Sequence, residues 1–107
     1  MDRTSSPLRV IEHRKVTAAQ VVHDYVQLAF GEEIGISIYN EMQMKPASLE
    51  IDELVGKVVV SADEVAGSVS IKFTDGAEIE VDLRPAAYGG PEAMQLHRAG
   101  QPSVIWN

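Results

Sequence analysis

The sequence predicts a small, mainly β domain built from antiparallel hairpins, packed as a sandwich or a barrel, with a β-rich α+β fold as the alternative. Two observations predict this class. Apolar and polar residues alternate through residues 34–38 and 78–83, as in strands with one buried face. The Asp75-Gly76 dipeptide precedes the second run and is a strong signal for a tight hairpin turn. Hairpins with one apolar face must cover one another, which produces two layers or a closed barrel.

Length and composition narrow the class of protein further. The chain has 107 residues, enough for one domain that buries a core without covalent staples. It has no cysteine, which excludes disulfides and thiolate metal sites and suits a reducing compartment. No apolar run approaches the roughly 20 residues that a membrane helix needs, and Met1–Ser6 contains no apolar leader segment. We therefore expect a cytoplasmic protein that does not enter membranes.

The N-terminal third of the sequence has the least clear pattern of secondary structure. Residues 1–8 are polar and predict a flexible tail before a single domain that spans 9–107. Arg9–Val16 is predicted as a first strand, although its alternation is poor. Residues 17–30 fit either an amphipathic helix capped by Thr17 or a pair of strands rich in valine.

The next segment favours the strand interpretation of residues 17–30. Residues 34–38 alternate isoleucine with glycine and serine, and residues 31–33 form a short glycine-containing connection between the two runs. We therefore predict a β-hairpin at this point. Residues 41–56 are predicted as a long connection that is broken at Pro46 and contains one short helical turn.

The second half of the chain has a clearer pattern. Residues 57–61 form a short apolar strand, and residues 68–73 and 78–83 alternate on either side of the Asp75-Gly76 turn. In the last run the even-numbered carboxylates are predicted to face outward. Residues 85–91 are predicted as a loop.

The C-terminal segment has two interpretations. Residues 93–97 and 103–106 pair as strands, or else Pro91 begins a short helix that Gly100 ends. The strand interpretation is preferred. Trp106 ends an apolar run next to the C-terminus, which implies docking of this segment into the core or onto a partner.

A shift of 43 residues superimposes the two hairpins. Residues 26–38 then fall on residues 69–81, and apolar positions match apolar positions. The match suggests two copies of a three-strand unit, at 14–40 and 57–83. Any two hairpins with loops of equal length would match in this way, so duplication and coincidence both stay open.

The net charge of −7 is concentrated in one part of the sequence. Residues 50–82 carry nine acidic and two basic side chains, whereas residues 1–15 carry a net charge of +2. A negative field opposes binding to phosphate backbones and attracts basic partners, although it also serves solubility alone. We therefore predict a non-enzymatic interaction protein that meets a basic protein or a second copy of itself, and not nucleic acid. The predicted contact residues are Asp63, Glu64, Glu78, Glu80 and Trp106.

No catalytic or metal-binding motif stands out in the sequence. Its three histidines lack the spacing of zinc ligands, and it contains neither a P-loop nor a Gly-x-Ser-x-Gly motif. We expect no metal, no cofactor and no catalytic residue. The alternative is a small-molecule site, or the site of a minor enzyme, in the glycine-rich segment 84–97. The residues predicted for this site are Arg84, Tyr88, Glu92 and His97.

Three motifs occur together in the chain: residues 24–30 (Asp-Tyr-Val-Gln-Leu-Ala-Phe), Gly56 followed by Phe73-Thr74-Asp75-Gly76, and residues 90–96 (Gly-Pro-Glu-Ala-Met-Gln-Leu) with the closing Val-Ile-Trp-Asn. Together they resemble a group of small uncharacterised bacterial single-domain proteins, over most of residues 20–107. The resemblance implies strands at 25–30 and brings no catalytic residues with it. Some such proteins resemble toxin-neutralising immunity proteins, which would suit the acidic segment.

Overall fold

The computed structural model describes residues 7–23, 25–65, 67–83 and 93–106. These residues form nine strands in two antiparallel sheets that pack face to face as a sandwich and not as a closed barrel. The predicted fold class, antiparallel hairpins in a small sandwich, is therefore confirmed. None of the described residues forms a helix of the length and apolarity that a membrane span requires.

The two sheets differ by one strand. Sheet 1 contains, in spatial order, β1 (Ala18–Val22), β2 (Tyr25–Ala29), β3 (Ile34–Ile38), β8 (Met94–Arg98) and β9 (Val104–Trp106). Sheet 2 contains, in spatial order, β4 (Met42–Lys45), β7 (Glu78–Asp82), β6 (Ser68–Phe73) and β5 (Val59–Val65).

The core lies between the inner faces of the two sheets. Ile36 and Ile38 of β3 are each 1% exposed, and Ile79 and Val81 of β7 are fully buried. Because side chains alternate along a strand, the residues between them lie on the outer faces of the two sheets. The period-2 pattern of the sequence therefore predicted which side of each central strand is buried.

The hairpins predicted from the sequence are all present. Residues 17–30 form β1 and β2, so the strand interpretation is confirmed and the helix is wrong. Gly76 has a φ of 91°, in the left-handed region that this turn needs and glycine adopts freely. The C-terminal residues pair as β8 and β9, so a helix between Pro91 and Gly100 is also wrong.

The expected first strand, Arg9–Val16, is wrong in most of its length. Pro7–Ile11 forms a 3₁₀ turn, because Leu8 and Ile11 stand three residues apart and a 3₁₀ turn brings both to one side. Both side chains are fully buried. Pro7 and Leu8 fall within the predicted tail, residues 1–8, but belong to the folded domain.

The expected long connection at 41–56 contains more structure than the sequence predicted. Met42–Lys45 is strand β4, which ends before Pro46, and Ile51–Leu54 forms a second 3₁₀ turn where a short helical turn was expected. β4 was missed because its partner, β7, lies far along the chain and the pairing leaves no local signal. The strand expected at 57–61 lies instead at Val59–Val65 and carries a bulge between Val59 and Ser61.

The two halves of the chain have matching registers. All five β1–β2 pairs become β5–β6 pairs when 43 is added to both residue numbers, as Val21–Val26 becomes Glu64–Val69. All four β2–β3 pairs become β6–β7 pairs in the same way. We call the first 3₁₀ turn with β1–β4 the first unit, and the second 3₁₀ turn with β5–β8 the second unit.

The two units meet at a short antiparallel contact and exchange their fourth strands. Val16 N donates to Lys57 O at 2.8 Å, and the equivalent Val59 N donates to Arg14 O at 2.9 Å, so an approximate two-fold axis passes between them. Strand β4 of the first unit pairs with β7 of the second, and β8 of the second unit pairs with β3 of the first. Each sheet is therefore completed by a strand of the other unit.

Equivalent core residues of the two units provide a stability test. Leu28 and Ile71 occupy matching positions on β2 and β6 and are 2% and 0% exposed. We expect Leu28→Ala and Ile71→Ala each to lower the free energy of unfolding by about 2–5 kcal/mol, since each leaves a cavity in a packed core. Urea denaturation measures both. As a control, Gln43→Ala at an exposed position should change the free energy of unfolding by less than about 0.5 kcal/mol.

The turn between β6 and β7 provides a pH test. Lys57 Nζ donates a hydrogen bond to Asp75 Oδ2 and Ala77 N donates to Asp75 Oδ1, and the two together lower the pKa of Asp75 below its ordinary 3.8. The resulting stabilisation is present above the ordinary pKa and is lost as pH falls through the lowered one. Asp75→Asn should therefore flatten the acid limb of the Tm–pH curve. An unchanged acid limb in the variant would contradict this assignment.

Candidate functional site

The outer face of sheet 2 carries most of the charge found on the strands. Because Val69, Ile79 and Val81 point into the core, their neighbours along β6 and β7 point outward. Four carboxylates share this outer side. We call it the acidic face and define it by Asp63, Glu78, Glu80 and Asp82.

The charge of the acidic face is uneven along the strands. Glu78 lies opposite Lys45 on β4 and opposite Lys72 on β6, and its Oε2 accepts a hydrogen bond of 2.8 Å from Ser70 Oγ. Glu80 lies instead between the uncharged Gln43 and Ser70. The lysines therefore offset the charge at Glu78, whereas the described strands place no Lys or Arg opposite Glu80, so the face is more negative toward Glu80.

A cavity of about 510 Å³ opens at this more negative end. Three of its lining residues are acidic, and none of the described residues that line it is Lys or Arg. Its lining residues are Glu41, Met42, Gln43, Gly67, Ser68, Glu80 and Asp82. Met42 lies opposite the buried Val81, and its partly buried side chain packs against the core. The cavity is therefore a polar one, in which three carboxylates lie close together.

Asn40 connects the two strands that frame this cavity. Its Nδ2 donates a hydrogen bond of 2.6 Å to the backbone oxygen of Asp82, and Asp82 N donates to Glu41 O at 3.1 Å. Asn40 is only 6% exposed, and its Oδ1 has no hydrogen-bond partner among the described residues. These bonds fix the end of β7 against the start of β4, which holds Glu41 near Asp82.

The structure brings together three of the five predicted contact residues. Asp63, Glu78 and Glu80 lie on the acidic face, where Asp63 and Glu80 both flank Ser70 in one cross-strand row. Glu64 is on the opposite side of β5, in register with the buried Val69, and is exposed because β5 is an edge strand. Consecutive strand residues face opposite ways, so Asp63 and Glu64 do not share a surface.

Trp106 lies in a different part of the molecule from the acidic face. It belongs to β9, at the far edge of sheet 1, and packs against the core. Of the two docking modes expected from the sequence, the structure therefore shows docking into this chain's own core.

Two residues of the site were missed as contact candidates. Asp82 was recognised only as an outward residue of its strand, and Glu41 lay in what was expected to be a connection. Both become part of one site because β4 pairs with β7. The sequence contains one signal that identifies Glu41, the alternation of Met42 and Met44, but that run is too short to mark a strand by itself.

The second predicted site, in segment 84–97, is described only at its end. Arg84, Tyr88 and Glu92 lie outside the described residues. His97 is on β8, where its Nε2 lies 3.2 Å from Ser37 Oγ and its Nδ1 lies 3.2 Å from Ser103 Oγ.

The Ser37–His97–Ser103 chain is poorly arranged for nucleophilic catalysis. Ser37 is 2% exposed, and the group on the far side of His97 is a hydroxyl where a nucleophile–base pair is usually oriented by a carboxylate. His97 and Ser37 also line a shallow cavity of about 190 Å³ on the outer face of sheet 1. This volume is below the roughly 300–1,000 Å³ of common small-molecule sites.

The remaining histidines and carboxylates do not form a metal centre in the described residues. No group of three or more His, Cys, Asp or Glu is placed there to hold an ion. His13 and His23 are exposed in turns, with φ values of 70° and 56°. The three carboxylates of the 510 Å³ cavity are therefore arranged as a charged surface and not as a coordination shell.

No protein-family model matches the chain. No curated protein and no solved structure matches it at a significant level.

Proposed function

We propose that this protein is a non-enzymatic interaction protein whose acidic face binds a basic protein partner. The observation that carries the proposal is the cavity of about 510 Å³, with three carboxylates and no Lys or Arg among its described lining residues. A concave surface of one charge sign concentrates the electric field and attracts ligands of the opposite sign.

The shape and chemistry of the cavity suit the side chain of lysine or arginine. Both have an aliphatic stem that packs on apolar surface and a charged end that stays among polar groups. Glu41, Glu80 and Asp82 offer acceptors for the charged end. An arginine fits best, since its planar guanidinium pairs with carboxylates through two parallel hydrogen bonds.

The charges of the acidic face also favour one class of partner over others. Its carboxylates would repel the phosphates of nucleic acids and of anionic lipid headgroups. Lys45 and Lys72 stand beside Glu78, away from the cavity, and do not reverse the sign there. The proposed partner is therefore a basic protein met in the cytoplasm, and an immunity-like role would suit such a partner.

The small-molecule alternative is supported less well by the described residues. Only His97 of its four predicted residues is described, and the nearby 190 Å³ cavity is small. A ligand site that involves Arg84, Tyr88 and Glu92 stays a prediction from the sequence.

We also propose that the two units are copies of one ancestral unit. The support is the agreement of nine strand pairs under one shift of 43 residues and the equivalence of the hydrogen bonds at the approximate two-fold axis. Chance similarity of two hairpins explains neither the matched 3₁₀ turns nor the reciprocal exchange of β4 and β8.

Charge reversal tests the acidic face. We expect wild-type protein to bind a short labelled oligoarginine peptide, with an affinity that falls as salt rises. The double variant Glu80→Lys and Asp82→Lys should weaken binding by about tenfold or more, about 1.4 kcal/mol, because it inverts the field at the cavity. Fluorescence anisotropy across a salt series measures both effects.

The matched control changes the net charge by the same amount elsewhere. Glu32 and Glu33 are exposed in the turn between β2 and β3 of the other sheet. The double variant Glu32→Lys and Glu33→Lys should leave the affinity for the peptide nearly unchanged. If it lowers that affinity as much as Glu80→Lys with Asp82→Lys does, binding follows net charge alone and the proposed site is wrong. A milder variant, Glu80→Gln with Asp82→Asn, provides the test if the reversed variant does not fold.

A further inference from the structure

The outer faces of the two sheets occupy equivalent positions and have different chemistry. Because adding 43 converts the register of β1–β3 into that of β5–β7, each outward residue of β1, β2 and β3 has a counterpart on sheet 2. Four of these pairs differ in charge, and they are Gln20 and Asp63, Ala29 and Lys72, Gly35 and Glu78, and Ser37 and Glu80.

The outer face of sheet 1 is uncharged across its whole width. One cross-strand row runs through Gln20, Gln27, Ser37, Gln95 and Ile105, and no outward position of the described strands of this sheet holds Lys, Arg, Asp or Glu. Ile105 is 46% exposed. Depletion of charge together with accessible apolar and aromatic side chains distinguishes the centres of protein interfaces from the rest of a surface.

This face carries very small residues at the end of the strands next to the β2–β3 turn. Ala18, Ala29 and Gly35 are neighbours across β1, β2 and β3, and they line the shallow cavity of about 190 Å³. Tyr25 and Tyr39 contact each other at the opposite end of β2 and β3, with ring centroids 5.0 Å apart. A flat partner surface of small and amide side chains could approach this face closely.

We propose that the uncharged outer face of sheet 1 is where a second copy of this chain docks, face to face about a two-fold axis. The charge distribution selects this occupant. Two copies of a chain with a net charge of −7 repel each other, and of the two outer sheet faces this is the one whose described strands bring no carboxylates together. A strongly basic or acidic partner would find no opposite charge on sheet 1. A second copy presents the same uncharged face, and a two-fold contact requires that self-complementarity.

The chain offers a matched pair of variants for testing this surface. Gln95 on β8 and Gln43 on β4 are equivalent strand positions, because Met94 pairs with Ile38 as Met42 pairs with Val81. Gln95→Glu places one carboxylate of each copy in the docked face, whereas Gln43→Glu adds the same charge to sheet 2. Sedimentation velocity over a concentration series measures self-association for the full chain and both variants.

We expect the wild-type chain to reach twice the mass of one chain as concentration rises. Gln95→Glu should raise the dissociation constant of the dimer at least about tenfold, and Gln43→Glu should leave it nearly unchanged. Added salt should strengthen the dimer, since it screens repulsion between the two acidic chains, whereas it weakens the binding of a basic peptide. The opposite salt responses separate this proposal from the one for the acidic face.

Three results would overturn the proposal: a chain that sediments as a monomer at every concentration, equal effects of Gln95→Glu and Gln43→Glu, or a dimer that salt dissociates. Gln27→Glu, on the neighbouring strand of the same face, is a second variant if Gln95→Glu fails to fold by circular dichroism. It should weaken the dimer in the same direction. An intact dimer in the folded Gln27→Glu variant would place the contact elsewhere.

Discussion

The fourth strand of each unit lies in the sheet of the other unit, and the rest of the structure depends on this exchange. Without β4, strand β7 would be an open edge of sheet 2, and without β8, strand β3 would be an open edge of sheet 1. Unpaired edges expose backbone donors and acceptors that other chains can bind. Each unit therefore supplies the strand that protects the other, and neither sheet is complete without both halves of the chain.

The exchange also creates the candidate site. Glu41 belongs to the first unit, and Glu80 and Asp82 belong to the second, yet all three line one cavity because β4 lies against β7. Carboxylates that approach one another repel, so an acidic cavity of this kind needs a scaffold that holds its walls in place. The bond from Asn40 to the Asp82 backbone and the β4–β7 ladder provide that scaffold. The site is thus a product of long-range pairing and not of any one segment.

This dependence explains which parts of the molecule could be predicted from sequence. The hairpins β2–β3 and β6–β7 are local, and their period-2 pattern and turn residues identify them, including the buried side of each strand. β4 has four residues and a partner far along the chain, so no local pattern marks it. Grouping Asp63 with Glu64 failed because neighbours on a strand point to opposite sides. The sequence alone could not assign Glu41 to the site, because its position depends on strand β4, which begins at the next residue.

Because both units belong to one chain, the two outer faces can differ in chemistry, which a symmetric pair of identical single units does not permit. In a homodimer of identical units, any substitution appears on both outer faces, so one face cannot become acidic while the other stays uncharged. In one chain the equivalent positions Ser37 and Glu80 hold different residues, as do Gln20 and Asp63. The approximate two-fold axis fixes the same backbone on both sides, and the sequence assigns a different surface chemistry to each. The difference between the faces is therefore the strongest reason to assign them different partners, a basic protein on sheet 2 and a second copy of this chain on sheet 1.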